Sequence, residues 1–244
     1  MHDEIKLDKD MLIKWIMDGV RRTIVHYGCW FREVDYQLGT LRACEIENSA
    51  GDSSWNIIIN RLAKVLGFEV EDGVPVVLKQ KSEEELEKLL NAVCVNWLAN
   101  DGVWFQTVEK AYGMDYAKRC NDTCWTRFSP FEAIRIKKLL KLPTYPGIEG
   151  LKKALFFRLY ARINKQSIEE IDEKSFIFRM NECRVQLARK RKGLPDYPCK
   201  SVGIVEYTTF AETIDPRIKT ECIGCPPDEH PDDWWCAWKF TIME

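Results

Sequence analysis

The chain opens with apolar residues at helical spacing. Leu12, Trp15, Ile16, Val20 and Ile24 form one stripe, so a helix is expected from about Lys9 to Tyr27, capped by Asp8 and ended at Gly28. A second helix is expected from Trp30 to Glu47 and a third from Trp55 to Leu66. The turn-forming run Asn48-Ser49-Ala50-Gly51-Asp52-Ser53-Ser54 lies between them. Val76-Val77-Leu78 reads as a brief strand or extended linker. Ser82 with Glu85 forms a capping box before the stripe Leu86, Leu89, Leu90, Val93 and Trp97. Gly28-Cys29-Trp30-Phe31-x-x-Val34 recurs as Gly102-Val103-Trp104-Phe105-x-x-Val108. At the same offset Gly39 matches Gly113, Ala43 matches Ala117 and Leu66 matches Leu140. A helical module therefore occurs twice, over roughly 9–66 and 83–140.

Beyond Leu142, Pro143, Pro146, Gly147 and Gly150 punctuate the chain and the pattern changes. A helix is expected from Ile148 to Ile163. Ser167–Ile171 and Ser175–Met180 are strand-like and read as a hairpin. Basic Arg184–Lys192 and then Ser201–Ile214 read as helices. Arg217–Ile223 and Trp235–Met243 read as two further strands. The fold class expected is α+β: a helical N-terminal half with a duplicated helical module, then a four-stranded antiparallel sheet packed by helices. The division expected is 1–82 for an N-terminal helical module and 83–244 for the α+β domain.

Composition narrows this picture. Lysine and arginine total 36 against 38 acidic residues, a balance that argues against a dedicated nucleic-acid binder. The run Arg189-Lys190-Arg191-Lys192 reads as a solvated helix end. The polar N-terminus, Met1-His2-Asp3-Glu4, has no apolar core of a signal peptide, and no run is long enough to span a membrane. A cytoplasmic protein is expected, its ten cysteines serving as thiols and ligands rather than disulfides.

Four of those cysteines carry the candidate chemistry. Cys199, Cys222-Ile223-Gly224-Cys225 and Cys236 have the spacing of a closed metal site, provided that the last two strands pair. Four thiolates suit zinc first and an iron–sulfur cluster as the alternative. Cys183, Gln186 and Arg189 recur at intervals of three and share a helix face. There the arginines Arg184 and Arg189 could grip a carboxylate and Cys183 could act as nucleophile. Trp30-Phe31 and Trp104-Phe105 are expected in the helical core, with Trp104 and Phe105 also candidates to line a pocket. Trp235 and Trp238 should face opposite sides of the last strand, leaving one to reach a ligand. Among the histidines, only His26 stands where a pocket could use it. Triads, phosphate loops and dinucleotide fingerprints are absent from the sequence.

The order of elements and the cysteine spacing resemble the 4-vinyl reductase domain, also found in the sensor domains of phenol-responsive regulators. The resemblance implies structural zinc on Cys199, Cys222, Cys225 and Cys236, with Cys222 standing where the sensors have glutamate. It also implies an apolar ligand between helices and sheet. The phrases Cys183-Arg184-Val185-Gln186-x-Ala188-Arg189, Asp215-Pro216-Arg217-Ile218 and Cys225-Pro226-Pro227-Asp228 resemble an uncharacterised family from anaerobes that is related to L-2-amino-thiazoline-4-carboxylic acid hydrolases. That relation implies opening of a small sulfur heterocycle. The partners expected are a small-molecule ligand and a second copy in a possible homodimer, with neither nucleic acid nor membrane.

Overall fold

The computed structural model describes residues 8–244. The polar N-terminal tetrapeptide and His2 lie outside the described residues. The chain divides into two compact units, one up to Ser54 and one from Trp55 onward.

Helix α1 runs Lys9–Leu38, with the Asp8 carboxylate accepting from the Met11 N–H at 2.7 Å. It passes straight through Gly28, contrary to the sequence expectation. One glycine inside a helix costs only about 1 kcal/mol, and it breaks the helix only where the backbone turns left-handed. That happens at Gly39, φ +85°. Helix α2 follows as Thr40–Leu66 and absorbs the predicted turn at Asn48–Ser54. Gly51 there marks a close approach rather than a turn. A Cβ on it would fall 2.7 Å from the Tyr27 hydroxyl, which donates to Glu47 at 2.8 Å. The α1 stripe exists, but Trp15, Ile16 and Ile24 on it are exposed, as is Trp30. His26 is exposed too, its ring centroid 6.4 Å from that of Trp30.

The hairpin β1 (Val70–Glu71) and β2 (Val74–Pro75) turns at Asp72-Gly73, both with positive φ, the backbone of a tight hairpin turn. Val76–Lys79, expected as extended, is one helical turn, α3. Helix α4 then spans Glu83–Tyr112, with the Ser82–Glu85 capping box formed, and α5 spans Met114–Leu140. The duplication is visible in these bounds. α1 and α4 each have 30 residues, α2 and α5 each 27. Gly113, φ +88°, repeats Gly39.

Helix α6 covers Gly147–Phe156, shorter than the sequence suggests, and a 3₁₀ turn at Leu159–Arg162 follows. Next come strands β3 (Lys165–Asp172) and β4 (Ser175–Glu182), helices α7 (Arg184–Arg191) and α8 (Lys200–Ile214), and strands β5 (Ile218–Gly224) and β6 (Cys236–Ile242). The sheet order is β3-β4-β6-β5, all antiparallel. The two predicted hairpins thus join through their second strands. Phe176, Phe178 and Met180 of β4 alternate onto the same face as their partners Phe240, Trp238 and Cys236 of β6. Phe210, Ala211 and Ile214 of α8 bury that face. Helix α5 packs on α8 with Trp125, Ser129, Ala133 and Ile136, a stripe at helical spacing. No helix among the described residues is long and apolar enough to cross a membrane.

Candidate functional site

Between α4, α5, α7, α8 and the ends of β4 and β6 lies a cavity of about 740 Å³. Its walls are mostly ring systems and apolar side chains: Phe105, Trp125, Tyr160, Val202, Tyr207 and Trp238. Trp125 stacks on Tyr160, their centroids 5.7 Å apart, and Tyr207 stacks on Trp238 at 4.8 Å. Trp238 is 1 % exposed and its buried indole N–H has no hydrogen-bond partner among the described residues. A Cβ on Gly203 would lie 2.6 Å from the Trp238 ring, so only glycine lets that ring lie flat against α8.

The candidates from the sequence separate here. Cys183, Arg184, Gln186, Arg189 and Phe105 line the cavity. Trp104 and Trp235 are not among the lining residues. Trp104 is 66 % exposed, because adjacent residues on a helix point about 100° apart and Phe105 takes the inner direction. Trp235 precedes β6 and packs near the His230 ring; Trp238, one face over, is the tryptophan that reaches the cavity. Burial pushes the Cys183 thiol up to about 12, the opposite of what an activated nucleophile needs. Gln186 is buried with both ends of its amide committed. It donates to the Tyr197 carbonyl and accepts from the Tyr197 N–H, each at 2.8 Å. Arg189 donates to the Pro195 carbonyl at 2.7 Å. Lys118 donates to the Pro198 carbonyl at 2.7 Å, and Asn121 to the Tyr197 hydroxyl at 3.1 Å. The segment 193–199 is therefore pinned between α5 and α7 as one wall of the cavity.

Three of the four predicted metal ligands meet at one end of this cavity. Cys199 caps α8, Cys225 follows β5 and Cys236 opens β6. The sulfurs of Cys199 and Cys225 are 3.5 Å apart, and Cys236 lines the same cavity. The hydrogen bond from Cys225 favours a Cys199 thiolate, and Gln186 donates to the same sulfur at 3.5 Å. Cys225, holding its proton between Cys199 and Cys236, is raised. Cys222 is half-buried on β5 opposite Trp238 and raised chiefly by burial. As they stand, no three or more Cys, His, Asp or Glu among the described residues form a metal-ion cluster. The donor chemistry nevertheless fits zinc. Two thiolates on a tetrahedral zinc lie about 3.8 Å apart, close to the Cys199–Cys225 separation. Cys199, Cys225 and Cys236 would hold the ion with Cys222 as fourth ligand, and such a closed site supplies folding energy rather than a reaction.

Sequence reasoning missed a second polar group. Arg158, 3 % exposed, lies between two buried carboxylates. Its Nε donates to Glu132 at 2.8 Å, and its Nη1 lies 2.7 Å from Glu206. Four aromatic rings surround it, the Phe210 ring nearest at 4.7 Å. Glu132, Arg158 and Glu206 come from three separate elements, so no local spacing announced them. Glu206 lines the cavity, as does Asp101. One guanidinium cannot neutralise two carboxylates. Burial outweighs the pull of Arg158 and pushes Glu206 up to about 6, while Asp101 is also raised by burial.

The raised Glu206 makes a pH signature. Between about pH 4.5 and 6 the folded protein holds a proton on Glu206 that the unfolded chain has released. Stability therefore falls as pH rises through that window, by roughly 2 kcal/mol from this group. Urea unfolding of the wild type and Glu206→Gln across pH 4–7 should show that slope flattened in the variant. Parallel curves would mean that Glu206 titrates normally.

Residues 79–242 match the family of unknown function DUF6125, a range that opens at the second helical copy and closes with β6. No curated protein matches the chain.

Proposed function

Because the chain belongs to the DUF6125 family, whose function is unknown, the pocket must carry the reading, and we propose a metal-stapled small-molecule-binding protein. The observation behind this is the cavity beside α8. It is bounded by stacked rings and it ends on three thiols. An apolar pocket with a few convergent polar groups is the usual form of a ligand site. Zinc on the cysteine cluster ties α8 to the β5–β6 hairpin, which holds the floor of the pocket in place.

Native mass spectrometry of protein purified without chelator reads both parts at once. The expected spectrum carries one zinc per chain, lost in Cys225→Ser together with much of the stability. A small molecule retained under gentle ionisation would be released by denaturation. Several irons and inorganic sulfide per chain, with visible absorption, would replace zinc with the iron–sulfur alternative. A metal-free wild type as stable as chelator-treated protein would remove the clasp from this reading.

A further inference from the structure

A second concave pocket, of about 480 Å³, adjoins the cavity, and Arg184 and Asn164 line both. Arg162, Arg184 and Arg191 converge on it, together with Lys165 and Glu182. Arg184 and Arg191 lie two helical turns apart on α7, with Leu187 between them on the same face. Lys165 is paired with Glu182. The three guanidinium groups have no carboxylate partner among the described residues. The Arg191 Nε donates to the Leu187 carbonyl at 3.2 Å, leaving its terminal nitrogens unused. Asn164 accepts from the Arg184 N–H at 2.8 Å and fixes the start of α7 against the 3₁₀ turn that carries Arg162. Three like charges gathered around one hollow repel each other unless an anion sits among them. Their forks suit phosphate oxygens.

The cavity itself is mainly apolar, its charged lining mixed in sign. Asp101, Glu109 and Glu206 line it together with Lys110, Arg184, Arg189 and Lys192, and the buried Arg158 is shared between Glu132 and Glu206. Its aromatic walls suit an apolar body, whereas the arginine hollow beside it suits an anionic group. We propose that the ligand is an amphipathic phosphate, with its apolar body in the cavity and a dianionic head among Arg162, Arg184 and Arg191. This rests on the cavity being a ligand site. A dianion is the better complement because three guanidinium groups, and not one, are left without partners.

Decyl phosphate, decanoate and decanol separate the possibilities, with tryptophan fluorescence as the readout at low salt. Decyl phosphate should bind at least tenfold more tightly than decanol, with decanoate between them. In the Arg162→Gln/Arg191→Gln double variant, whose folding circular dichroism checks, the advantage should shrink to within about twofold. Decanol affinity should stay unchanged. Equal binding of decyl phosphate and decanol to the wild type would overturn the arginine site and leave the cavity reading standing. Decanoate equal to decyl phosphate would overturn the dianion assignment. Failure of all three to bind would overturn the cavity reading, and this proposal with it.

Discussion

Replacing Arg158 by glutamine should lower the unfolding free energy at pH 7.5 by about 3–5 kcal/mol. Glu132 and Glu206 are both buried, and Arg158 is the cation between them. Removing it strands two carboxylates among aromatic rings. Glu132 keeps one donor, the Leu159 N–H at 3.1 Å; Glu206 loses its cation. For a protein of this size the loss should appear as a drop of roughly 6–20 °C in melting temperature. Part of it should return at pH 5, where Glu206 takes up a proton. A pH-independent deficit would attribute the loss to packing against Phe210 and Tyr207 rather than to charge. A variant as stable as the wild type would mean that water already reaches the cluster.

Gln186→Leu should also be costly, at about 1–3 kcal/mol. Leucine fills much the same space but returns no hydrogen bond to the buried N–H and carbonyl of Tyr197. The Tyr197 N–H depends on the Gln186 amide, whereas the Tyr197 carbonyl keeps a second donor, the Cys199 N–H at 2.8 Å. The segment 193–199 should loosen from α7, so amide exchange at Tyr197 should quicken well beyond the average for the domain. Gln186→Glu, which keeps the acceptor for the Tyr197 N–H and loses the donor, should fall between leucine and wild type. Unchanged exchange at Tyr197 in Gln186→Leu would show that the wall stands on Lys118, Asn121 and Arg189 alone.

These two clusters differ in how far they could be read beforehand. Gln186 stood out because Cys183, Gln186 and Arg189 share a helix face, and all three do line the cavity. Its role as a clamp on Tyr197 could not be seen, since the partner is a backbone group eleven residues away. Arg158 gave no signal at all. Glutamates and arginines in helical segments ordinarily face water, and nothing local marks the one that will be buried.

What the sequence determined by itself is what depends on neighbours along the chain. The strands, the helices α7 and α8, the doubled helical module and the cysteine spacing all follow from period, caps and repeated motif. Even there, glycines misled where identity had to stand in for conformation. Gly28 and Gly51 are helical, while Gly39 and Gly113 turn the chain, and φ rather than residue type separates them. What only the tertiary structure decided is what depends on distant chain segments meeting. Antiparallel pairing of β5 with β6 and the packing of α8 across the sheet bring Cys199, Cys225 and Cys236 together. The burial of Glu132, Arg158 and Glu206 needs α5, α8 and the 3₁₀ turn at once. The choice of Trp238 and Phe105 over Trp235 and Trp104 for the cavity was settled by which face each backbone presents inward. Burial is a property of the assembled layers, so charge and thiol chemistry that depend on it appear only once those layers are in place.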